Sequence, residues 1–258
     1  MPAKKRKNGD SISGIGSMSA RKLKRKKPIN SDAMVDIQPL TKSQERFFEA
    51  YAEGKNIFSY GCAGTGKTFV ALYNALKDVL DPKSPRERVY IVRSIIPTRD
   101  IGFLPGDEED KSYLYQVPYQ NMVRFMFKRN NDAEFDRLYN DLRNQGTIDF
   151  LTTSFLRGVT IDNGVVIVDE CQNLNFHELD TIMTRVGQDT KIVFAGDMQQ
   201  TDLTKTQDRN GILDFVNILQ QMSEVECIEF DLKDIVRSGL IKSYLINKIK
   251  LGLHYEQV

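Results

Sequence analysis

With 258 residues, 40% of them apolar and 28% charged, and a formal net charge of +1, the chain has the makeup of a globular protein with one large core or two small ones. Three cysteines without metal-ligand spacing and two histidines argue against a disulfide framework and a His/Cys zinc centre. No apolar run approaches the roughly 18 residues of a membrane-crossing helix, and no apolar stretch follows the basic N-terminus as in a secretory signal; the expected location is cytoplasmic.

The charge is unevenly spread. Residues 1–27 hold ten Lys/Arg against the single acid Asp10, which leaves 26 basic and 34 acidic residues in the remainder. A tail this polar cannot bury enough surface to fold alone, so residues 1–35 are expected to be disordered and the globular part to run from Asp36 to the end. The tail has two readings: a tether that neutralises phosphates of RNA or DNA, or a solubilising extension. Next, Leu40–Tyr51 reads as a helix capped by Thr41 or Ser43. Strands are expected at 55–60, 88–92, 148–153, 165–169 and 191–196, with Cys227–Phe230 as an edge strand. Helices at 67–80, 176–186, 211–222 and 239–251 alternate with them. That alternation predicts an α/β fold with a parallel sheet. Residues 99–146 break the rhythm and are expected to insert a loop and two helices across the mouth of the site. Tyr113, Tyr115 and Tyr119 there either stack on bases or pack the insertion against the core.

The chemistry concentrates at Gly61-Cys62-Ala63-Gly64-Thr65-Gly66-Lys67-Thr68, which fits the phosphate-loop pattern G-x-x-x-x-G-K-[ST] at every fixed position. Glycines let successive N–H groups turn inward toward phosphate oxygens, and the following helix N-terminus adds partial positive charge. Lys67 would reach the β- and γ-phosphates of ATP and the Thr68 hydroxyl would ligate Mg²⁺. Downstream, the apolar run Val165–Val168 ends in Asp169-Glu170, two carboxylates at the carboxyl end of a central strand. Asp169 suits the Mg²⁺ shell and Glu170 suits the base that deprotonates water. A third polar strand end, Gly196-Asp197-Met198-Gln199-Gln200, should lie beside them.

These segments, with Phe103–Asp107, Thr184–Gly187 and Asp234-Ile235-Val236-Arg237, occur in the order seen in PhoH-like proteins, and the chain resembles that family from about residue 36 to 250. Its size is similar to a phage version, which would place it in a host cytoplasm. The resemblance implies a P-loop NTPase with a RecA-like parallel sheet, helices on both faces and a helical/loop insertion, related to superfamily 1 helicases. It further implies a homo-oligomeric ring, with a hexamer as one form, that meets RNA or DNA through the tail or a pore. By resemblance Gln44 contacts adenine, Gln200 senses the γ-phosphate, Arg237 meets the terminal phosphates in cis or from a neighbour, and Arg185 is a candidate finger in trans. The chain departs from the family at Cys171, and at Ser238-Gly239 after the late arginine. No counterpart of the nuclease domain fused to some relatives is expected.

Three functions compete. The first is an ATP hydrolase that remodels nucleic acid. The second is an ATP-gated binding module with little turnover, and the third a small-molecule kinase lidded by the insertion. Glu170 favours turnover, because a pure binder needs no base.

Overall fold

The structure is a computed structural model that describes residues 29–93, 108–129, 131–153, 156, 158–198, 203 and 206–251; side chains of 108–114 and 206–210 are not described. Six strands form one sheet: β1 (Asn56–Gly61), β2 (Arg88–Arg93), β3 (Ile148–Leu151), β4 (Gly164–Asp169), β5 (Lys191–Gly196) and β6 (Val225–Phe230). Their order is β3-β2-β4-β5-β1-β6, and every pairing is parallel. All residues of β4 and β5 are buried, as continuous apolar runs flanked on both faces must be. The Cys227–Phe230 strand takes the expected edge position and begins two residues earlier than its sequence pattern suggests.

Alternation along the strands divides the core. Val165 and Ile167 face a cluster formed with α1 (Lys42–Ala52), α2 (Lys67–Val79), α3 (Glu108–Met126) and α4 (Asp132–Asn144). Val166 and Val168 face the opposite cluster, formed with α5 (Phe176–Met183) and α6 (Thr206–Leu219). The result is a three-layer α/β sandwich. Thr41, not Ser43, caps α1, its hydroxyl accepting from Gln44 N–H.

Two expectations change. The globular part starts before Asp36: Ile29 packs on the core, Met34 is buried, Ser31 N–H reaches Leu80 O and Val35 N–H reaches Met126 O. Apolar side chains that the charge run obscured dock there against α2 and α3. The insertion does contain two helices, but they complete a helical layer instead of arching over the site. Tyr119, Val123, Met126, Phe135, Tyr139 and Leu142 all enter the core. A parallel β2→β3 connection needs a crossover, and α3 and α4 supply it. Tyr119 is therefore a packing residue, edge-on to Phe150 at 5.5 Å. The expected loop of the insertion, with Phe103–Asp107, and Tyr113 as a side chain lie outside the described residues. Helix α7 (Gly239–Lys250) follows β6 and buries none of its residues. Among the described residues no helix is long and apolar enough to cross a membrane.

Candidate nucleotide site

The phosphate-loop glycines are dictated by backbone geometry. Gly61 ends β1 at φ +113°, and a Cβ there would lie 2.2 Å from Phe230 O, so only glycine lets the β6 backbone come this close. Gly64 and Gly66 sit at φ +77° and +85°, Gly66 as the N-cap of α2. Among the described residues no backbone acceptor takes the N–H groups of Ala63, Gly64 and Gly66. Lys67 folds inward, its Nζ donating to Gly61 O at 2.7 Å and Cys62 O at 2.8 Å. Thr65 Oγ1 donates to Cys62 O at 2.9 Å and stiffens the same turn. Burial pushes the Lys67 ammonium below its ordinary value, against the pull of Asp197 and Glu170.

The two motifs meet. Thr68 Oγ1 donates to Asp169 Oδ1 at 2.7 Å across 101 residues of sequence. Tyr119 Oη donates to the other oxygen, Oδ2, at 2.6 Å. Asp169 is 5% exposed, and burial raises its carboxyl above the usual range while the Tyr119 and Thr68 hydroxyls oppose the rise. Arg93 ends β2 in register with Asp169. Burial works against its charge, but Tyr119, Asp169 and Glu170 outweigh that and keep the guanidinium ionised.

Glu170 leaves β4 in the left-handed conformation, φ 51° and ψ 41°. This costs an L residue on the order of 1 kcal/mol and turns the side chain out of the strand's alternation. Gln172 Nε2 donates to Glu170 Oε2 at 2.6 Å, while Gln172 Oε1 accepts from Asp197 N–H at 3.0 Å. This buried amide ties the β4 end to the β5 end. A Cβ on Gly196 would sit 2.6 Å from Gln172 Oε1, so glycine makes room for the tie.

Of the residues assigned by resemblance, the structure brings two to the loop. Gln44 is buried, its Nε2 donating to Thr65 O at 2.9 Å and its Oε1 accepting from Leu40 N–H at 2.8 Å. Arg237 packs on Gly64, whose added Cβ would meet Arg237 Cγ at 3.0 Å, and Val236 N–H donates to Gly64 O at 3.1 Å. Arg237 thus stands at the loop of its own chain. Arg185 does not. Helix α5 returns the chain toward the strand starts, where Arg185 O accepts from Ile161 N–H and Val186 bridges Ile161, ahead of Gly164. That is the end of the sheet opposite Gly61–Thr68. Gln200 lies outside the described residues. Cys62 and Cys171 are free thiols, both raised by burial, as small packing residues would be. His177 is exposed.

Sequence reasoning missed Arg93 and Gln172 and gave Tyr119 no role at Asp169. The one signal for Arg93 was its place at the carboxyl end of a strand, where parallel sheets collect ligand-binding groups.

The donor set fits a nucleotide with a hard cation. A glycine-shaped loop at the N-terminus of α2, with the Lys67 ammonium folded into it, matches a polyphosphate. Among the described residues no group of three His, Cys, Asp or Glu could hold a metal by itself. One hydroxyl and one carboxylate suit Mg²⁺, which keeps several waters and shares phosphate oxygens. Thr68 and Asp169 would hold it.

Comparisons with known proteins give the chain's relatives. The family described as PhoH-like protein matches residues 36–247. Protein PhoH2 of Bacillus subtilis is 37% identical over 143 residues, covering 55% of this chain and 31% of that protein. A PhoH-like protein of Mycobacterium tuberculosis is 30% identical over 206 residues, covering 80% of this chain and 56% of that protein. The chain therefore spans between just under a third and just over half the length of these curated relatives. Among solved structures, the large terminase of a thermophilic bacteriophage in complex with ADP aligns with 85% of this chain and 51% of that one, at 12% identity and a TM-score of 0.44.

Proposed function

The chain belongs to the PhoH-like protein family, and from that premise we propose that it is a Mg²⁺-dependent ATPase that couples hydrolysis to the binding or remodelling of single-stranded nucleic acid. The observation that carries the reading is the 2.7 Å contact between Thr68 and Asp169, which joins the phosphate loop to the carboxylate pair. In this reading Lys67 exchanges its loop carbonyls for phosphate oxygens, and the loop N–H groups hold the β-phosphate. Mg²⁺, when bound, neutralises charge on the phosphate oxygens. Glu170 accepts a proton from the water that attacks the γ-phosphorus; the bond to the bridging oxygen breaks and ADP leaves. Gln172 fixes the orientation of that base. Arg237 adds positive charge on the same side as Gly64. Gln44 retains one amide hydrogen and one lone pair after its contacts to Thr65 and Leu40, enough for the edge of an adenine. Gln200 is the proposed γ-phosphate sensor.

A homo-oligomer, with a ring as its form, belongs to the same proposal. Its support is α7, which reaches Gly64 through Leu245 and leaves Leu240 83% and Tyr244 64% exposed. A 12-residue helix of this kind draws little stability from itself. In such an assembly Arg185, remote from its own loop, would act only on a neighbour's nucleotide. The basic tail, which lies outside the described residues, is the proposed electrostatic contact to RNA or DNA in the cytoplasm.

Two variants test the core of the proposal. Lys67→Ala should nearly abolish ATP binding in a folded chain. Glu170→Gln should bind ATP normally and hydrolyse it at least ~10²-fold more slowly, as for loss of a general base. Unchanged ATP affinity in the first, or near-original turnover in the second, would overturn the assignments of loop and base respectively.

A further inference from the structure

Helix α3 closes with Lys128 N–H donating to Phe125 O at 3.2 Å and Arg129 N–H donating to Arg124 O at 3.3 Å. That pair of bonds is a Schellman closure, whose left-handed position is ordinarily glycine. Here it is Lys128, at φ 48°. An L side chain is strained there, so a lysine is an unexpected choice on backbone grounds alone.

Around this turn lies a concave surface of about 420 Å³, lined by Val35, Asn121, Arg124, Phe125, Lys128 and Arg129. The lining has three cations and no carboxylate, on a body that outside the tail is acidic. Arg124 is already engaged, bonded to Asp132 and lying over the Phe135 ring at 4.5 Å. Among the described residues no carboxylate pairs with Lys128 or Arg129. Phe125 is 64% exposed although its neighbours Val123, Met126 and Phe127 are buried. Its ring meets Phe69 edge-on at 5.8 Å, and Phe69 follows Thr68 directly. Cations near a helix C-terminus also offset its dipole, which explains the charge but neither the exposed ring nor the strained lysine.

We propose that this pocket binds one nucleotide unit of a single-stranded nucleic acid. The base stacks on the open face of Phe125, Lys128 and Arg129 take the adjoining phosphates, and the Asn121 amide offers a donor and an acceptor to the base edge. The proposal rests on the nucleic-acid reading above and gives it a place. Phe125 in turn meets Phe69, on the helix that carries Lys67 and Thr68, so an occupied pocket communicates with the ATP site through that ring pair.

The test uses the full chain and labelled oligo-dT and oligo-U, with anisotropy read across a salt series. Phe125→Ala should weaken binding on the order of 10-fold with the salt slope unchanged, as for loss of one stacked base. Lys128→Gly should lower the salt slope by about 0.7 for each phosphate it no longer neutralises. Because glycine relieves the strained turn, its thermal midpoint should equal or exceed that of the parent, so a binding loss cannot be ascribed to unfolding. Basal ATPase should be retained in Lys128→Gly, and its stimulation by the oligonucleotide reduced. If the parent chain binds oligonucleotide and both variants keep its affinity and slope, the pocket is refuted and the nucleic-acid reading stands. If the parent binds none, both fall. Free UMP that competes as strongly as the oligonucleotide would overturn the assignment to a strand.

Discussion

Lys191 offers a stability change whose sign can be worked out and whose site is remote from the nucleotide. It opens β5 at the end of the sheet opposite the phosphate loop and is only 4% exposed. Its Nζ donates to Tyr51 O at 2.6 Å and lies 3.8 Å from the Tyr51 ring centroid. Burial pushes the ammonium down to about 8 from its ordinary value of 10.5; Arg86 adds to the fall and Asp78 opposes it. At about 1.4 kcal/mol per pH unit the shift corresponds to at most ~3.5 kcal/mol. Solvent near the strand end screens part of it, which leaves a cost of about 2 kcal/mol for holding this lysine charged below pH 8. Between about pH 8 and 10.5 the folded state has released a proton that the unfolded chain retains, so stability rises with pH across that window. Lys191→Met keeps the length and removes the charge. It forfeits one hydrogen bond, about 1 kcal/mol for a neutral donor, but Tyr51 O still accepts from Gly54 N–H at 3.2 Å. The variant should therefore be more stable than the parent by about 1 kcal/mol at pH 7; as the parent sheds its ~2 kcal/mol penalty the gap should close near pH ~9 and reverse to about 1 kcal/mol in the parent's favour by about pH 10.5. Urea unfolding followed by circular dichroism at pH 7 to 10 reads this difference, and comparing the two chains cancels the other groups that titrate in the range. A gap that stays constant with pH would mean that Lys191 carries no buried-charge cost and would refute the reasoning.

Two further predictions concern the site. Tyr119→Phe removes one of the two hydroxyls that Asp169 accepts from while keeping the packing on Phe150, so thermal or urea unfolding at neutral pH should show a loss of about 1.5 to 3 kcal/mol; a loss under about 0.5 kcal/mol would mean that the bond is dispensable. Gln172→Ala frees Glu170 from its amide partner and should lower kcat about 10-fold with little change in KM for ATP, because the base is disordered and not removed. A rise in KM at constant kcat would instead assign Gln172 to nucleotide binding.

The parts of this protein that its sequence determined are those whose conformation is set within a few residues. Gly61–Thr68 could be read directly because a loop that turns its amides inward needs glycine at φ values closed to other residues, and Gly61, Gly64 and Gly66 take those values. Asp169 and Glu170 were legible because a fully buried strand must be continuously apolar, so its polar end announces itself. That the phosphate loop and the carboxylate pair share a site was also legible, but the side chains that surround them were not. Strand order decides that Arg93 lies in register with Asp169, and the crossover helices decide that Tyr119 reaches the same carboxylate from 50 residues away. The same helix holds Tyr119 buried and Phe125 open. Residue type does not separate them, since both are large aromatics in a mixed polar stretch. Sequence alone also left open whether Arg237 meets its own chain's loop, and the fold decides the placement of both arginines: α5 carries Arg185 to the far end of the sheet while the turn after β6 lays Arg237 on Gly64. Local backbone preference is encoded residue by residue, whereas which side chains share a site depends on how six strands and their crossovers pack, and that is decided only by the whole core closing at once.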